Sequence, residues 1–480
     1  MWMVLLHVLL VSGFTLRILL REDLAPDARM AWFMVIALFP LLGCAVYFLF
    51  GEVDIGHRVS RRYQQVYTTL HQAAAAAPGQ EFLGQPHNVA RLISPDYQAP
   101  FHYLASVNQL YPVAGNRAEL MADADSARAR LVADIDAATE QVNVLYYIWL
   151  NDHTGKHVAE ALMRAARRGV VCRAMVDGLG SHALLKTPLW QQMRAAGVQT
   201  AVALPIRPLL RTLLTSRIDL RNHRKITVID GKITYCGSQN CADAAFAVKA
   251  KYAPWVDIML RLQGPVVTQT QLLFASDWMM ATQQGLAQFA LPTEAYDDGF
   301  PAQVMGDGPT ERSRVTPQLL VTLINSARQR LTISTPYFVP DATVLEALCA
   351  AAWRGVAVTL IFPRRNDSWV VAAASRSHYR RLLQAGVRIF EFKGGLLHAK
   401  TLTVDDTLTF IGSTNLDLRS FDLNYENNVL LQDATTTAAV HARQQDYIAA
   451  ATAVTLAEVE AWSYGRRIWH NVLATVGPVL

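Results

Sequence analysis

One pattern occurs twice in this chain and constrains it more than any other feature. The first copy is His223-Arg-Lys225-Ile-Thr-Val-Ile-Asp230, trailed by Gly237-Ser238-Gln-Asn240. The second is His398-Ala-Lys400-Thr-Leu-Thr-Val-Asp405, trailed by Gly412-Ser413-Thr-Asn415 at the same spacing. Of 13 histidines, only these two begin a His-x-Lys. The duplication extends upstream. Ala161-Leu-Met-Arg-Ala-Ala-Arg-Arg-Gly-Val170 matches Ala347-Leu-Cys-Ala-Ala-Ala-Trp-Arg-Gly-Val356, and Ala196-Gly-Val198 matches Ala385-Gly-Val387. A repeat of this extent predicts two similar halves. Strand-like runs at Val142–Trp149 and Val170–Val176 flank a helical stretch, Val158–Arg168, closed by Gly169. That alternation predicts α/β halves of βαβ units with a largely parallel sheet. Paired halves predict a site at their interface.

The motif spacing has a physical meaning. Val, Ile and Thr around each copy favour a strand, and residues i and i+2 of a strand face the same way. His223 with Lys225, and His398 with Lys400, therefore share a face. So do Ser238 with Asn240, and Ser413 with Asn415. Lysine, hydroxyl and amide donors suit a phosphoryl group whose charge grows in the transition state, so these four residues are candidate phosphate ligands. One histidine can attack phosphorus while the other protonates the leaving oxygen. That chemistry needs no metal. The five cysteines have no metal-ligand spacing and predict neither a zinc site nor a disulfide framework. Asp230 and Asp405 complete the motifs and stand with His223, Lys225, His398 and Lys400 as candidate catalytic residues, but each lies an odd number of positions from its histidine. Each also sits at a turn, Asp230-Gly231 or Asp405-Asp406, which predicts a structural role rather than acid–base work.

The N-terminal region is of another kind. Trp2–Leu20 is nearly all apolar and Met30–Phe50 carries no charge. Each has about the 20 residues that cross a bilayer core as a helix. The polar link Arg21–Arg29 predicts a two-helix transmembrane hairpin over residues 1–50. Arg58, Arg61 and Arg62 follow the second span, against Arg21 and Arg29 in the link, and this bias puts the remainder on the cytoplasmic face. Residues 51–114 read as a connecting region, with Ala73–Ala77, Pro78 and Gly79 as a linker. The first α/β half then covers 115–290 and the second 291–480. Between Val198 and His223 an insertion carries Arg207, Arg211, Arg217 and Arg221 among Leu, Ile and Pro. It is either a rim for anionic headgroups or a solvated basic loop. The C-terminal stretch with Trp462, Arg466, Arg467 and Trp469 either lies on the membrane or, as the favoured reading, packs on the body.

The paired motifs resemble those of the phospholipase D superfamily, and the likeness covers residues 115 to 480. It implies two phospholipase D-like halves, a covalent phosphohistidine, and a second histidine that acts as acid and then base. Carried over, His223 is the nucleophile and His398 the acid–base group. The family also places a carboxylate after each motif to orient a histidine. Asp257, in Trp255-Val-Asp257, fits in the first half, and Glu426, in Leu423-Asn-Tyr-Glu-Asn-Asn428, in the second. Within the superfamily the chain is similar to bacterial cardiolipin synthases. The features that carry this are the apolar lead into Phe50-Gly51, Asn222-His-Arg-Lys225, Trp255-Val-Asp257, Phe274-Ala-Ser-Asp-Trp278 and Asn415-Leu-Asp-Leu-Arg-Ser420. Gly237-Ser238 departs from the Gly-Gly common there. The resemblance implies a cofactor-free reaction that joins two phosphatidylglycerols into cardiolipin and releases glycerol. Its partners are anionic phospholipids and the bacterial inner membrane. A phospholipase D-type hydrolase or a transphosphatidylase acting on other phospholipids shares every catalytic residue. A nuclease is disfavoured because no aromatic-basic binding run appears.

Overall fold

The computed structural model describes residues 2–21, 24, 26–51, 57–76, 83–206, 219–285 and 295–475. The first half contributes strands β1 (Val113–Leu120), β2 (Gln141–Tyr146), β3 (Val171–Asp177), β4 (Gln199–Ala203), β5 (Arg221–Asn222), β6 (Lys225–Ile229), β7 (Ile233–Gly237), β8 (Trp255–Val256) and β9 (Met259–Gln263). The second contributes β10 (Phe300–Asp307), β11 (Arg330–Ser334), β12 (Phe338–Val339), β13 (Ala357–Pro363), β14 (Arg388–Phe392), β15 (Leu396–Leu397), β16 (Thr401–Val404), β17 (Leu408–Gly412), β18 (Leu416–Asp417), β19 (Asn424–Gln432) and β20 (Ala451–Val454).

The long strands form one sheet that runs through both halves and is joined where β1 pairs antiparallel with β10. Outward from that join the order is β9, β7, β6, β2, β3, β4 on one side. On the other it is β19, β17, β16, β11, β13, β14, with β20 on the outer edge. The two orders correspond strand for strand, so the duplication in the sequence is a duplication of topology. Among the long strands, parallel pairing is confined to β2-β3-β4 and β11-β13-β14; the short pairs β5–β19, β8–β15 and β12–β18 are parallel as well. The sheet is therefore mixed, not largely parallel. The reason lies in the motif itself: β6–β7 and β16–β17 are hairpins that turn at Asp230-Gly231 and Asp405-Asp406, and a tight hairpin forces antiparallel pairing.

The repeated helices are His153–Arg167 and Ala342–Trp353. Each opens on an aspartate whose side chain accepts a first-turn amide, Asp152 from Gly155 at 3.0 Å and Asp341 from Val344 at 2.9 Å. Each ends before a glycine with positive φ, Gly169 at 94° and Gly355 at 89°, where a side chain would be strained. Their apolar faces join the cores on either side of the sheet, around Leu162 and Val144 in one half and Leu348 and Leu360 in the other.

The connecting region is more ordered than a linker. A helix spans His57–Ala76 and takes in the alanines at 73–76, as the best helix-forming residue should. Residues 77–79 lie outside the described residues. This helix packs on Val266–Thr282, and Arg62 Nη2 donates to the Met279 carbonyl at 3.2 Å. The Tyr63 hydroxyl donates to Glu311.

The N-terminal stretches depart from the expected hairpin. The first is a helix, Trp2–Leu19. The second is broken into Pro26–Leu38 and Pro40–Phe50 at Phe39 (φ −133°, ψ 70°). Pro40 has no N–H to continue the first helix and has the φ that starts a new one. The three helices pack around Ile18, Trp32, Ile36, Cys44 and Tyr47. Among the described residues no helix is long and apolar enough to cross a membrane. Leu5, Leu9, Leu16, Leu38, Phe39, Leu41, Leu42 and Phe48 are exposed on the outside of this unit.

Candidate active site

Two short strand pairings build the site across the halves. β5 lies parallel to the start of β19, and β15 lies parallel to β8. The ladders continue one step into the motifs: His223 N donates to the Tyr425 carbonyl at 2.9 Å, and His398 N to the Val256 carbonyl at 2.8 Å. The residue after each of those carbonyls is a carboxylate. Register thus brings Glu426 to His223 and Asp257 to His398. His223 Nδ1 lies 3.0 and 2.9 Å from the two Glu426 oxygens, and His398 Nδ1 lies 2.6 Å from Asp257 Oδ1. The carboxylate of each half therefore holds the histidine of the other.

A carboxylate at Nδ1 fixes that nitrogen as the N–H donor and leaves Nε2 as the reactive atom. Both rings line one cavity of ≈ 360 Å³. Burial first, and the neighbouring lysines, bring both histidines down to about 4 against the opposing pull of their carboxylates. Burial alone would raise Asp257 and Glu426. The histidine beside each, together with a lysine and a serine, outweighs that and lowers both carboxyls.

Lys225 and Lys400 share the faces of their histidines, and each Nζ donates to its own histidine carbonyl at 2.8 Å. Both are almost wholly buried. Desolvation brings Lys225 down to about 8 and, with the charge of Lys225 added, Lys400 down to about 7. Two ammonium groups that are poorly solvated and close together favour an anion between the halves.

The serines do something other than expected. Ser238 Oγ donates to Asp257 Oδ1 at 2.6 Å and accepts from Ile258 N at 3.1 Å. Ser413 Oγ donates to Glu426 and accepts from Asn427 N at 2.9 Å. Their hydroxyls are committed to the carboxylates and so brace the histidine partners. The preceding glycines are needed for this approach. A Cβ on Gly237 would stand 2.2 Å from the Ile258 carbonyl oxygen, and one on Gly412 2.2 Å from that of Asn427. Asn240 and Asn415 do line the cavity. Asn240 Oδ1 accepts from Ile148 N at 3.2 Å, and Asn415 Nδ2 donates to Ser420 Oγ at 3.2 Å.

Asp230 and Asp405 take no part in the cavity. Asp230 accepts from the backbone amides of Thr139, Glu140 and Gln141 at 2.8–2.9 Å. Asp405 accepts from those of Gln329 and Arg330 at 2.8 and 2.9 Å, from Arg328 N at 3.2 Å and from the Tyr97 hydroxyl at 2.7 Å. Each fastens the loop that enters a central strand, β2 or β11. Their place in the motif is architectural.

Several residues that sequence reasoning did not single out also line the cavity. The Tyr147 ring sits 4.8 Å from the His223 ring and Trp255 sits 4.5 Å from His398. Tyr337, Asp417, Arg419 and Asn424 join them. Asn424 was reachable by strand alternation: it stands two places before Glu426 and donates to its Oε1 at 3.1 Å. Arg221, two places before His223, lines the cavity too. Arg207, Arg211 and Arg217 lie outside the described residues. Trp462 packs on the body, 6.3 Å from the Tyr379 ring and 5.0 Å from His470. Among the described residues no grouping of His, Cys, Asp and Glu is placed to hold a metal ion.

Comparison with known proteins agrees with this geometry. The family described as "Cardiolipin synthase, PLD-like domain" matches residues 131–278 and 320–447, and "Phospholipase_D-nuclease N-terminal" matches 9–52. The chain is 37% identical to cardiolipin synthase A of Edwardsiella ictaluri over 97% of its own length and 94% of the relative's. Against cardiolipin synthase A of Serratia proteamaculans it is likewise 37% identical, again over 97% and 94% of the two chains. The fold is similar to that of phosphatidylserine synthase from Haemophilus influenzae, with a TM-score of 0.59 at 15% identity over 80% of this chain and 100% of that one. The chain belongs to the cardiolipin synthase family of phospholipase D-like phosphatidyltransferases.

Proposed function

We infer that the chain transfers a phosphatidyl group from one phosphatidylglycerol to the glycerol hydroxyl of a second, giving cardiolipin and glycerol. The observation that carries this reading is the crossed pair His223–Glu426 and His398–Asp257 on one cavity. The Nε2 lone pair of His223 attacks phosphorus and the phosphorus–oxygen bond to glycerol breaks. His398, which must enter this step as the imidazolium that Asp257 stabilises against burial, gives its Nε2 proton to the departing oxygen. A hydroxyl of the second lipid then passes its proton to His398 as its oxygen attacks phosphorus, and the phosphorus–nitrogen bond breaks. Lys225, Lys400, Asn240 and Asn415 stabilise the phosphoryl oxygens. Glu426 and Asp257 hold the rings and stabilise each imidazolium as it forms.

The N-terminal unit supports a membrane location for this chemistry, in the bacterial inner membrane with the body on the cytoplasmic side. Its outward leucines and phenylalanines suit lipid contact better than water. Cysteines placed in the link and in the body, labelled from each side of intact membranes, test the sidedness.

The reaction is tested by incubating purified protein with phosphatidylglycerol labelled in the glycerol headgroup. Cardiolipin and free glycerol in equal amounts is the expected result. Phosphatidic acid and glycerol without cardiolipin means that water is the acceptor and sinks the transfer reading.

A further inference from the structure

Next to the active-site cavity lies a recess of ≈ 540 Å³ lined by Lys251, Tyr252, Ala253, Arg364, Arg365, Phe392, Lys393 and Gly395. Four cations and no carboxylate face it. All four are exposed. The chain has few lysines, and two of them, Lys251 and Lys393, stand here. Crowding like charges on a surface is unfavourable unless an anion occupies the space between them.

The recess and the catalytic cavity are lined from the same two chain segments. The turn Ala247–Tyr252 gives Val248 and Lys249 to the cavity and Lys251 and Tyr252 to the recess. The loop after β13 gives Asp367 to the cavity and Arg364 and Arg365 to the recess. Lys393 and Gly395 stand just before β15, which leads into His398.

The same side carries an exposed aromatic ridge. Trp369, two residues after Asp367, stacks on Trp469 of the helix Tyr464–Thr475 with ring centroids 5.7 Å apart and planes 6° apart. The two rings keep 62% and 50% of their surface exposed. Tyr464, Ile468 and Val472 are exposed on the same helix. Arg376, from the helix that starts at Trp369, donates to the Arg364 carbonyl at 3.2 Å and so ties ridge to recess. Exposed tryptophan beside basic residues is the composition of a surface that sits at the headgroup level of a bilayer.

We propose that this recess is a second, non-catalytic site for the phosphate headgroup of an anionic phospholipid, and that it seats the mouth of the catalytic cavity on the bilayer. The proposal rests on the reading that the cavity itself takes phospholipid. The shared chemistry is a phosphate anion, and the source is lipid rather than free phosphate because the aromatic ridge adjoins it.

The test uses the full chain in mixed micelles of nonionic detergent and phosphatidylglycerol. Lys251, Arg364, Arg365 and Lys393 are all replaced by alanine in one variant. In a control variant Lys156, Arg167, Lys186 and Lys232, exposed cations of the first half, are replaced instead. The expected result is a KM, as mole fraction of phosphatidylglycerol, raised about tenfold in the first variant with kcat unchanged, and no change in the control. Equal KM in wild type and recess variant overturns the proposal, as does an equal rise in the control, which marks a bulk-charge effect. Inorganic phosphate that lowers the KM of the wild type and not of the recess variant marks free phosphate as the occupant and overturns the lipid source. Wild-type protein that makes no cardiolipin sinks the reading of the cavity instead. The recess is then judged on binding of anionic against neutral micelles.

Discussion

The two halves share one topology yet present their motifs differently, and the difference shows which parts of the pattern are fixed by chemistry. In both, a histidine and a lysine share a strand face, a carboxylate from the opposite half takes Nδ1, and a serine braces that carboxylate. These features follow from what a phosphohistidine reaction requires. The residues between and beside them diverge. The residue between His and Lys is Arg224 in the first half, fully buried, with Nη1 2.7 Å from Asp277 and Nε 3.1 Å from the Glu426 carbonyl. In the second half it is Ala399, packed in the core. Two places before the histidine stands Arg221 in one half and Leu396 in the other. The first half therefore brings extra positive charge and an ionic anchor to its histidine, and the second half relies on apolar packing.

The largest expected effect breaks the comparison outright. His223→Ala removes the proposed nucleophile and should lower kcat by about 10⁶-fold, as loss of a nucleophile does in other covalent enzymes. His398→Ala removes only proton transfer and costs about 10²–10⁴-fold. Rapid quenching with ³²P-labelled lipid separates the two: the His398 variant still forms labelled protein, and the His223 variant forms none. Equal losses with label in both, or label in the His223 variant alone, would reverse the assignment of roles.

The carboxylates come next. Glu426→Gln is expected to slow formation of the labelled protein, and Asp257→Asn, whose histidine is acid in one step and base in the next, both its formation and its breakdown, each by about 10²–10⁴-fold. The crossing is what makes this informative, because each substitution acts on the histidine of the other half. Breakdown that is unchanged in Asp257→Asn, or formation that is unchanged in Glu426→Gln, contradicts it.

The lysines sharpen the comparison through pH. Both are depressed in the free protein, Lys400 to about 7 and Lys225 to about 8. As pH rises through those values the ammonium groups lose their protons and the attraction for a phosphodiester weakens. The ratio kcat/KM, which reports free enzyme, should therefore fall from about pH 7 upward. A bound phosphate anion restores the protonated form, so kcat should hold to higher pH. A kcat/KM that stays level to pH 10 would show that the lysines are not desolvated as the burial implies.

The smallest effects separate bracing from architecture. Ser238→Ala and Ser413→Ala each remove one hydrogen bond to a charged partner and should cost about tenfold in kcat at unchanged stability. Asp230→Asn and Asp405→Asn should do the reverse. They weaken the clamp on the loops before β2 and β11 and cost about 1–3 kcal/mol in denaturant unfolding, with kcat unaltered.

Much of this site was legible in the sequence because strand alternation is a local rule. The shared faces of His223 with Lys225 and His398 with Lys400 follow from spacing alone, whereas Asp230 and Asp405, counted with the catalytic residues for their place in the motif, hold backbone amides, as their odd offset already suggested. Register between distant segments is not local. Nothing near His223 shows that β5 will lie beside β19, so the crossing of Glu426 and Asp257 waited on the structure. The serines were read by the same alternation as the asparagines, but Ile258 and Met259 at the head of β9, and Asn427 and Asn428 in β19, approach so closely at Gly237 and Gly412 that the hydroxyls meet carboxylates first. The parallel sheet was over-read from the βαβ units although the Asp230-Gly231 turn already implied a hairpin. At the N-terminus a hydropathy count is insensitive to the one residue, Pro40, that divides the second apolar stretch.

The shared site is tested most directly at the ring nitrogens. With ¹⁵N-labelled histidine, the Nδ1 proton of His223 should appear as a strongly deshielded resonance that Glu426→Gln shifts and Asp257→Asn leaves in place, and the reverse should hold for His398. Loss of the His223 signal in Asp257→Asn, with Glu426→Gln silent, would mean that each half orients its own histidine and that the crossing is absent in solution.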